Sequence, residues 1–299
     1  MRILITGING FIGQHLGRAL VKREHQVLGL GRDKQCVVKG VRAYYSGSIL
    51  DKKLVEKTVR DAQVVVHLAA LTSHKDIVEK KFETLKTNLL GTENVLDFFS
   101  RSKQTRKFLY VSTGKVYGKI ARLPISEDHP TNPLNILGKS KLITEKLIDF
   151  YNDNQKEFVI FRIFNVYGPG QKENFLIPTV LKQLEEGNKL VLGDMVAKRD
   201  YIHIDDVVSA FIYAIEEKGS RGLSIYNICT GKSSSAREIV NLMNKIKSIK
   251  IKVKSDSKKI RRDEMRDEYG SYEKAKRDLG WVPKISLTEG LARLIAQYK

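Results

Sequence analysis

Apolar residues in this chain fall in short runs separated by stretches of helical periodicity. Arg2-Ile3-Leu4-Ile5-Thr6 is an apolar, β-branched run that stops at a glycine, the pattern of a buried strand. Phe11, Ile12, Leu16, Ala19, Leu20 and Val21 then recur at helical spacing, and a second strand-like run covers 27–30. The same alternation predicts strands at 42–45, 64–68, 108–112 and 158–163, and helices at 51–59, 82–100 and 133–151. Strands separated by helices point to an α/β fold with a doubly wound parallel sheet, whose ligands bind at the carboxyl ends of its strands.

Beyond Gly168-Pro169-Gly170 the texture changes to shorter, less regular elements. Ser235-Ala236-Arg237-Glu238 reads as a capping box opening a helix through Asn244. Residues 249–254 alternate strictly between isoleucine or valine and lysine, predicting a strand with one buried and one basic face. A last helix is predicted over 288–298. The division that follows is a larger domain over 1–168, to which later segments return, and a smaller C-terminal α/β lobe over 169–299 that packs over the strand ends.

The first strand–helix interval carries candidate chemistry. Thr6-Gly7-Ile8-Asn9-Gly10-Phe11-Ile12-Gly13 spaces its glycines as G-x-x-G-x-x-G within a strand–turn–helix–strand unit of about 30 residues. Glycines there let the backbone turn tightly and approach a pyrophosphate, and they aim a helix N-terminus at that anion. Residues 1–168 are therefore expected to form a Rossmann-type dinucleotide domain. The second strand ends Leu30-Gly31-Arg32-Asp33. Gly31 stands where an acidic residue would bind the adenosine ribose, and Arg32 suits a 2′-phosphate, so NADP is favoured. Asp33, one or two residues late, keeps NAD open.

Composition narrows the partners. A chain of 299 residues with 41% hydrophobic content can bury a substantial core. Its net charge of +19 allows a nucleic acid, an acidic membrane or a small polyanion. The lysines are spread along the chain without clustered aromatics, which argues against nucleic acid and suits the steering of nucleotide diphosphates. Apolar runs are strand-length, far short of the ~20 residues of a membrane span. Cys36 and Cys229 lie far apart and suit a reducing cytoplasm. The six histidines show no metal-ligand spacing, so no metal is expected. No nucleophile elbow marks a hydrolase.

With these residues in view, the chain resembles the extended short-chain dehydrogenase/reductase family, in particular its nucleotide-sugar epimerases, dehydratases and reductases. The resemblance runs nearly the whole length. It rests on the glycine fingerprint, on His67-Leu68-Ala69-Ala70, on Asn88-Leu89-Leu90-Gly91-Thr92 and on Val111-Ser112-Thr113-Gly114-Lys115-Val116-Tyr117-Gly118. Phe164-Asn165-Val166-Tyr167-Gly168-Pro169-Gly170, the segment from Arg199 to Val207, and Lys274-Ala275 with Leu279-Gly280-Trp281 and Pro283 extend it. The resemblance implies a nicotinamide cofactor held by Gly7, Gly10, Phe11, Ile12, Gly13, Arg32, Ser48, Ile49, Leu68, Ala69, Ala70, Asn88, Ser112, Lys141 and Ile163. It implies a nucleotide-diphosphate sugar met by Asn165, Leu176, Arg199 and Arg261, with the two arginines on the diphosphate. It also implies a homodimer through the helices at 82–100 and 133–151.

In the family a tyrosine four residues before the lysine moves the proton while nicotinamide exchanges hydride, and a Ser or Thr shares the hydrogen bond. Thr113 and Lys141 match the last two positions. The tyrosine position is Leu137, and no tyrosine lies between Tyr117 and Tyr151. The acidic pair that family dehydratases carry after the Thr is Gly114-Lys115 here. Lys115, if buried beside Lys141, is one substitute proton carrier, an exposed lysine being the other reading; Tyr117 reads as packed near the site, with a proton role as its alternative; and the loop holding His74 could reach the cleft. His203, between Ile202 and Ile204, reads as a packed residue. Two functions follow: an enzyme with its acid/base moved off the helix, or a silent NAD(P)-binding partner subunit.

Overall fold

The computed structural model describes residues 1–72, 79–173, 175–187, 189–217, 219–249, 251–256 and 265–297. Seven parallel strands form one sheet in the order β10-β6-β5-β4-β1-β2-β3. They are β1 Arg2–Thr6, β2 Gln26–Gly31, β3 Ala43–Ser46, β4 Val64–His67, β5 Lys107–Thr113, β6 Glu157–Ile163 and β10 Gly222–Ile228. The first six match the predicted runs to within a residue or two. The order reverses between β1 and β4, the switch point at which such sheets bind nucleotides.

The inner strands are buried on both sides, so alternate residues feed two cores; the edge strand β3 is only half-buried. Ile3, Ile5, Val64, Val66, Leu109 and Phe161 pack against α1 (Phe11–Lys22) and α6 (Ile204–Glu216). Leu4, Leu28, Val65, Phe108, Phe158 and Ile160 pack on the other side against α2 (Lys52–Arg60), α3 and α4 (Ile136–Phe150). This double burial is why the strands read as continuous apolar runs. Helix α3 was expected as one helix over 82–100. It runs as Lys81–Leu85, a π-helical turn Lys86–Leu90, then Gly91–Arg101. Gly91 is needed there: a Cβ would lie 2.4 Å from Ile49 Cδ1. Helix α4 starts three residues later than the pattern suggested, where the Asn135 side chain accepts from Gly138 N at 2.8 Å.

The smaller lobe has its own core, from α5 (Leu176–Glu185), β8 (Lys189–Leu192), α7 (Ala236–Lys247) and α9 (Leu287–Gln297). The capping box is formed as expected: Ser235 N donates to Glu238 and Glu238 N to Ser235 Oγ. The predicted lysine-faced strand is β12, Lys252–Ser255, paired in parallel with β8, its lysines exposed. Between the lobes, β9 (Lys198–His203) pairs with β7 (Asn165–Tyr167), β11 (Ser233–Ser235) and β13 (Asp267–Glu268).

A buried ion pair fastens β5 and β6 to α4. Arg162 Nη2 donates to Glu145 Oε2 at 2.7 Å, and the Ser112 hydroxyl donates to Oε1 of the same carboxylate. Both ion-pair side chains are almost wholly buried. Removing one partner would strand the other's charge. Glu145→Ala is expected to lower the unfolding free energy by about 3–5 kcal/mol. A loss under about 1 kcal/mol in urea titrations, the size of a surface pair, would contradict this picture.

Candidate functional site

The glycine turn lies against the end of β4. Gly7 has φ +72°, and a Cβ on it would stand 2.9 Å from the Ala69 backbone. A Cβ on Gly13 would stand 2.4 Å from the Gly7 carbonyl. Gly10 is the N-cap of α1, with no side chain capping the helix and no acidic residue in its first turn. The amide groups at that end therefore face outward with the helix dipole behind them, which fits a pyrophosphate. Phe11 and Ile12 are half-buried in the first turn, and Gly13 is buried.

A hydrogen-bonded chain locks this approach. His67 on β4 meets Thr6 Oγ1 at 2.7 Å through Nδ1 and Thr92 Oγ1 at 2.9 Å through Nε2. The Thr92 hydroxyl donates to Asn88 O at 2.6 Å, so it accepts from His67, and the imidazole carries its proton on Nε2. Burial and the Lys141 charge push the His67 pKa down to about 3, so the ring stays neutral. Ala69 N donates to Thr6 Oγ1 at 3.2 Å, which holds Leu68, Ala69 and Ala70 beside Gly7. The Asn88 amide bonds both Leu71 N and Leu71 O, so this side chain orders the segment after β4 instead of facing open space.

At the end of β2, Arg32 is exposed, while the Asp33 carboxylate is held 2.8 Å from Asn9 Nδ2 of the glycine turn. Ser48 is half-buried, its hydroxyl accepting from Leu50 N, and Ile49 and Ile163 are buried.

Thr113 ends β5, and its hydroxyl accepts from Lys115 N at 3.3 Å. Lys141 on α4 donates to Val111 O at 2.6 Å, with Nζ 4.5 Å from the centre of the Tyr110 ring. Burial pulls its pKa down to about 8, against a smaller opposing pull from Glu145. Leu137, one helical turn before it, is half-buried.

Three sequence expectations are corrected. Tyr117 is core: it is 1% exposed, its hydroxyl donates to Asn227 Oδ1 at 2.6 Å, and the Arg162 guanidinium covers its ring at 4.9 Å. Burial raises its pKa far above the usual phenol range, so it is no proton carrier. Ser112 is buried and its hydroxyl donates to Glu145, so that group is already taken up within the protein. Lys115 does not lie in a buried pair with Lys141. Its Nζ reaches Glu268 Oε2 at 2.6 Å.

On the other side of the cleft, Asn165 Nδ2 donates to Asp200 O at 3.0 Å. Arg199 is 7% exposed, donates to Lys198 O and Met265 O, and has Nε 3.7 Å from Glu268 Oε2. Asp200 is buried, which raises its pKa to about 6 although Thr230 and the Gly231 and Gly270 amides donate to it. Leu176 is half-buried against the core of the small lobe. His203 is packed, as expected, and its Nδ1 caps α6 by accepting from Asp205 N. Arg261 and His74 lie outside the described residues. Glu268 was not anticipated: its partners are 153 and 69 positions away, and nothing local marks it.

Comparison with known proteins agrees with this geometry. Residues 4–294 match the family model described as GDP-mannose 4,6 dehydratase. GDP-6-deoxy-D-mannose reductase of Pseudomonas aeruginosa is 30% identical over 311 residues, covering 100% of this chain and 97% of that protein. The Bacillus cereus UDP-glucuronic acid 4-epimerase, solved with UDP-glucuronic acid and NAD, superposes with a TM-score of 0.88 at 29% identity, covering 100% of both chains. RMD from Pseudomonas aeruginosa, solved with NADPH, gives 0.86 at 29% identity, covering 99% of this chain and 98% of that one. The chain belongs to the extended short-chain dehydrogenase/reductase family of NAD-dependent, nucleotide-sugar epimerases and dehydratases. Among the described residues no helix is long and apolar enough to cross a membrane.

The buried lysine gives a pH signature. Folded Lys141 releases its proton near pH 8, whereas an unfolded lysine holds its proton to about 10.5. The unfolded state then binds more protons between those values, so stability rises with pH across that window. Urea unfolding at pH 7.5 and pH 10 is expected to show the natural chain gaining on Lys141→Met; a constant gap contradicts the assignment.

Proposed function

We propose that this chain is an NAD(P)-dependent enzyme that modifies a nucleotide-diphosphate sugar by hydride transfer, with a proton carrier other than the tyrosine replaced by Leu137. The observation that carries this reading is Lys141. A lysine whose ammonium is buried against Val111 O and the Tyr110 ring, with its pKa pulled to about 8, is a costly feature for a scaffold. Its place beside Thr113, at the sheet end near the glycine cradle, suits the ribose of a bound nicotinamide and a reacting sugar carbon.

The residues divide the work. Gly7, Gly10 and Gly13 admit the pyrophosphate, and Lys141 holds the nicotinamide ribose. The cofactor supplies or accepts hydride when bound. Thr113 hydrogen-bonds the reacting hydroxyl or ketone, Asn165 orients the sugar or nucleotide, and Arg199 and Arg261 meet the diphosphate. Lys115, two residues after Thr113, serves as the substitute acid/base. Exposed Arg32 supports NADP over NAD. The second reading, a silent partner subunit, is favoured by Leu137 alone.

The exposed apolar residues Phe82, Leu85 and Leu90 on α3, with Ile143 and Phe150 on α4, support a homodimer through these helices. Phe150, 84% exposed, is the natural probe. Light scattering should find a dimer that Phe150→Asp dissociates, and a monomeric natural chain sinks this assignment. The paired cytoplasm reading rests only on the two free thiols, Cys36 and Cys229. It would be lost if the mature chain isolated from cells carried a disulfide.

The purified chain, with oxidised and reduced NAD and NADP, is to be screened against nucleotide sugars and their 4-keto derivatives by chromatography and mass spectrometry. Product from the natural chain is expected, and Leu137→Tyr should raise its rate by on the order of 10²-fold, the usual worth of a placed acid/base. Product from the variant alone would favour the silent subunit.

A further inference from the structure

We propose that Glu268 is the positioning residue of this site, holding the Lys115 ammonium where it serves as the proton carrier that Leu137 cannot be. The proposal rests on the reading of the chain as a nucleotide-sugar enzyme and deepens it.

The geometry joins three cleft residues through one carboxylate. Glu268 Oε2 lies 2.6 Å from Lys115 Nζ and 3.7 Å from Arg199 Nε. The Glu268 side chain is 7% exposed and that of Lys115 31%. The carboxylate is thus sunk in the fold, while its lysine partner keeps access to solvent and ligand. A buried carboxylate needs partners, and it draws flexible cations to one fixed point.

That point is anchored from both sides. Glu268 sits in β13 opposite Arg199 of β9. Just after it, Ile125 N donates to Tyr269 O and Ser271 N to Ile125 O, and Gly270 N reaches the Asp200 carboxylate. Lys115 is equally confined. It follows Thr113 by two residues, and its backbone packs against the first turn of α4: a Cβ on Gly138 would lie 2.5 Å from Lys115 O. Gly138 is the residue after Leu137. The backbone that bears the amine therefore belongs to the turn that touches the place where the helix lacks its proton group.

In the direction of ketone reduction, an N–H bond of Lys115 breaks and its proton goes to the carbonyl oxygen. The C=O π pair moves onto that oxygen as the carbon receives hydride from a bound dihydronicotinamide, which is oxidised as the sugar is reduced. The neutral amine then takes a proton from water. Alcohol oxidation runs the same transfers in reverse.

Two measurements test this. The first needs neither cofactor nor substrate: lysine acetylation of the folded protein at pH 7.5, quantified by mass spectrometry, with exposed Lys139 as internal reference. Glu268 holds the amine in a contact of 2.6 Å, so Glu268→Gln, which releases it, should raise Lys115 labelling at least ~5-fold, and Glu268→Asp much less. Equal labelling in a folded Glu268→Gln overturns the positioning claim. The second is turnover across pH. Glu268→Gln should lower kcat by ~10–100-fold with KM nearly unchanged and move the pH profile, while Lys115→Met loses ~10²-fold or more. An unchanged kcat and pH profile, or a rise in KM alone through Arg199, overturns the proposal and leaves the enzyme reading standing. If neither the natural chain nor Leu137→Tyr forms product, the enzyme reading fails and the proton role fails with it, whatever the labelling shows. Should Glu268→Gln not fold, Glu268→Asp carries both measurements: because it lengthens the contact, it should give smaller changes of the same sign, and no change in either overturns the proposal.

Discussion

Everything at this site depends on how closely the first turn approaches the fourth strand. Gly7 lies so near the Ala69 backbone that no Cβ fits between them, and Gly13 is pressed as tightly against the Gly7 carbonyl. These contacts set the direction of α1 and leave its amide end open. The Thr6–His67–Thr92 chain keeps the spacing, because a neutral imidazole with its proton on Nε2 can accept from one threonine and donate to the other. Charging that ring would break one of the two bonds, and burial keeps it uncharged.

Across the cleft, electrostatics takes over from steric fit. The Glu145–Arg162 pair stiffens the floor made by β5, β6 and α4, and it also takes up the Ser112 hydroxyl and the face of Tyr117. Lys141 is left with a carbonyl and an aromatic ring, and its proton is loosely held for a lysine. Glu268 collects Lys115 and Arg199. The site thus sets a buried inner ion pair, Glu145–Arg162, apart from a second carboxylate, Glu268, whose partner Lys115 keeps its side chain 31% exposed.

How much of this the sequence told depended on the range of each interaction. Strands β1, β2, β4, β5 and β6 were legible because they are buried on both faces and so write apolar runs into the chain. The glycine turn was legible because its spacing and its setting between strand and helix are local. The π-helical turn of α3 was not: periodicity does not separate one such turn from the α-helix around it. The proton role offered to Tyr117 failed on long-range contacts. Its place beside Thr113 suggested chemistry, but its fate was decided by Asn227 and Arg162. Lys115 looked free in the sequence because its partner lies 153 residues on, in a strand of two residues with no periodic signal.

The proposed function requires that hydride leave and reach a sugar carbon here without a tyrosine on α4. The most direct test is to incubate the natural chain and NAD or NADP with nucleotide sugars deuterated in turn at each ring carbon, and to follow the label by mass spectrometry. Deuterium recovered on the nicotinamide, from one carbon only, is the predicted result. Label that stays on the sugar in every case, with no altered sugar formed, from protein shown to bind both cofactor and nucleotide sugar, would contradict the claim.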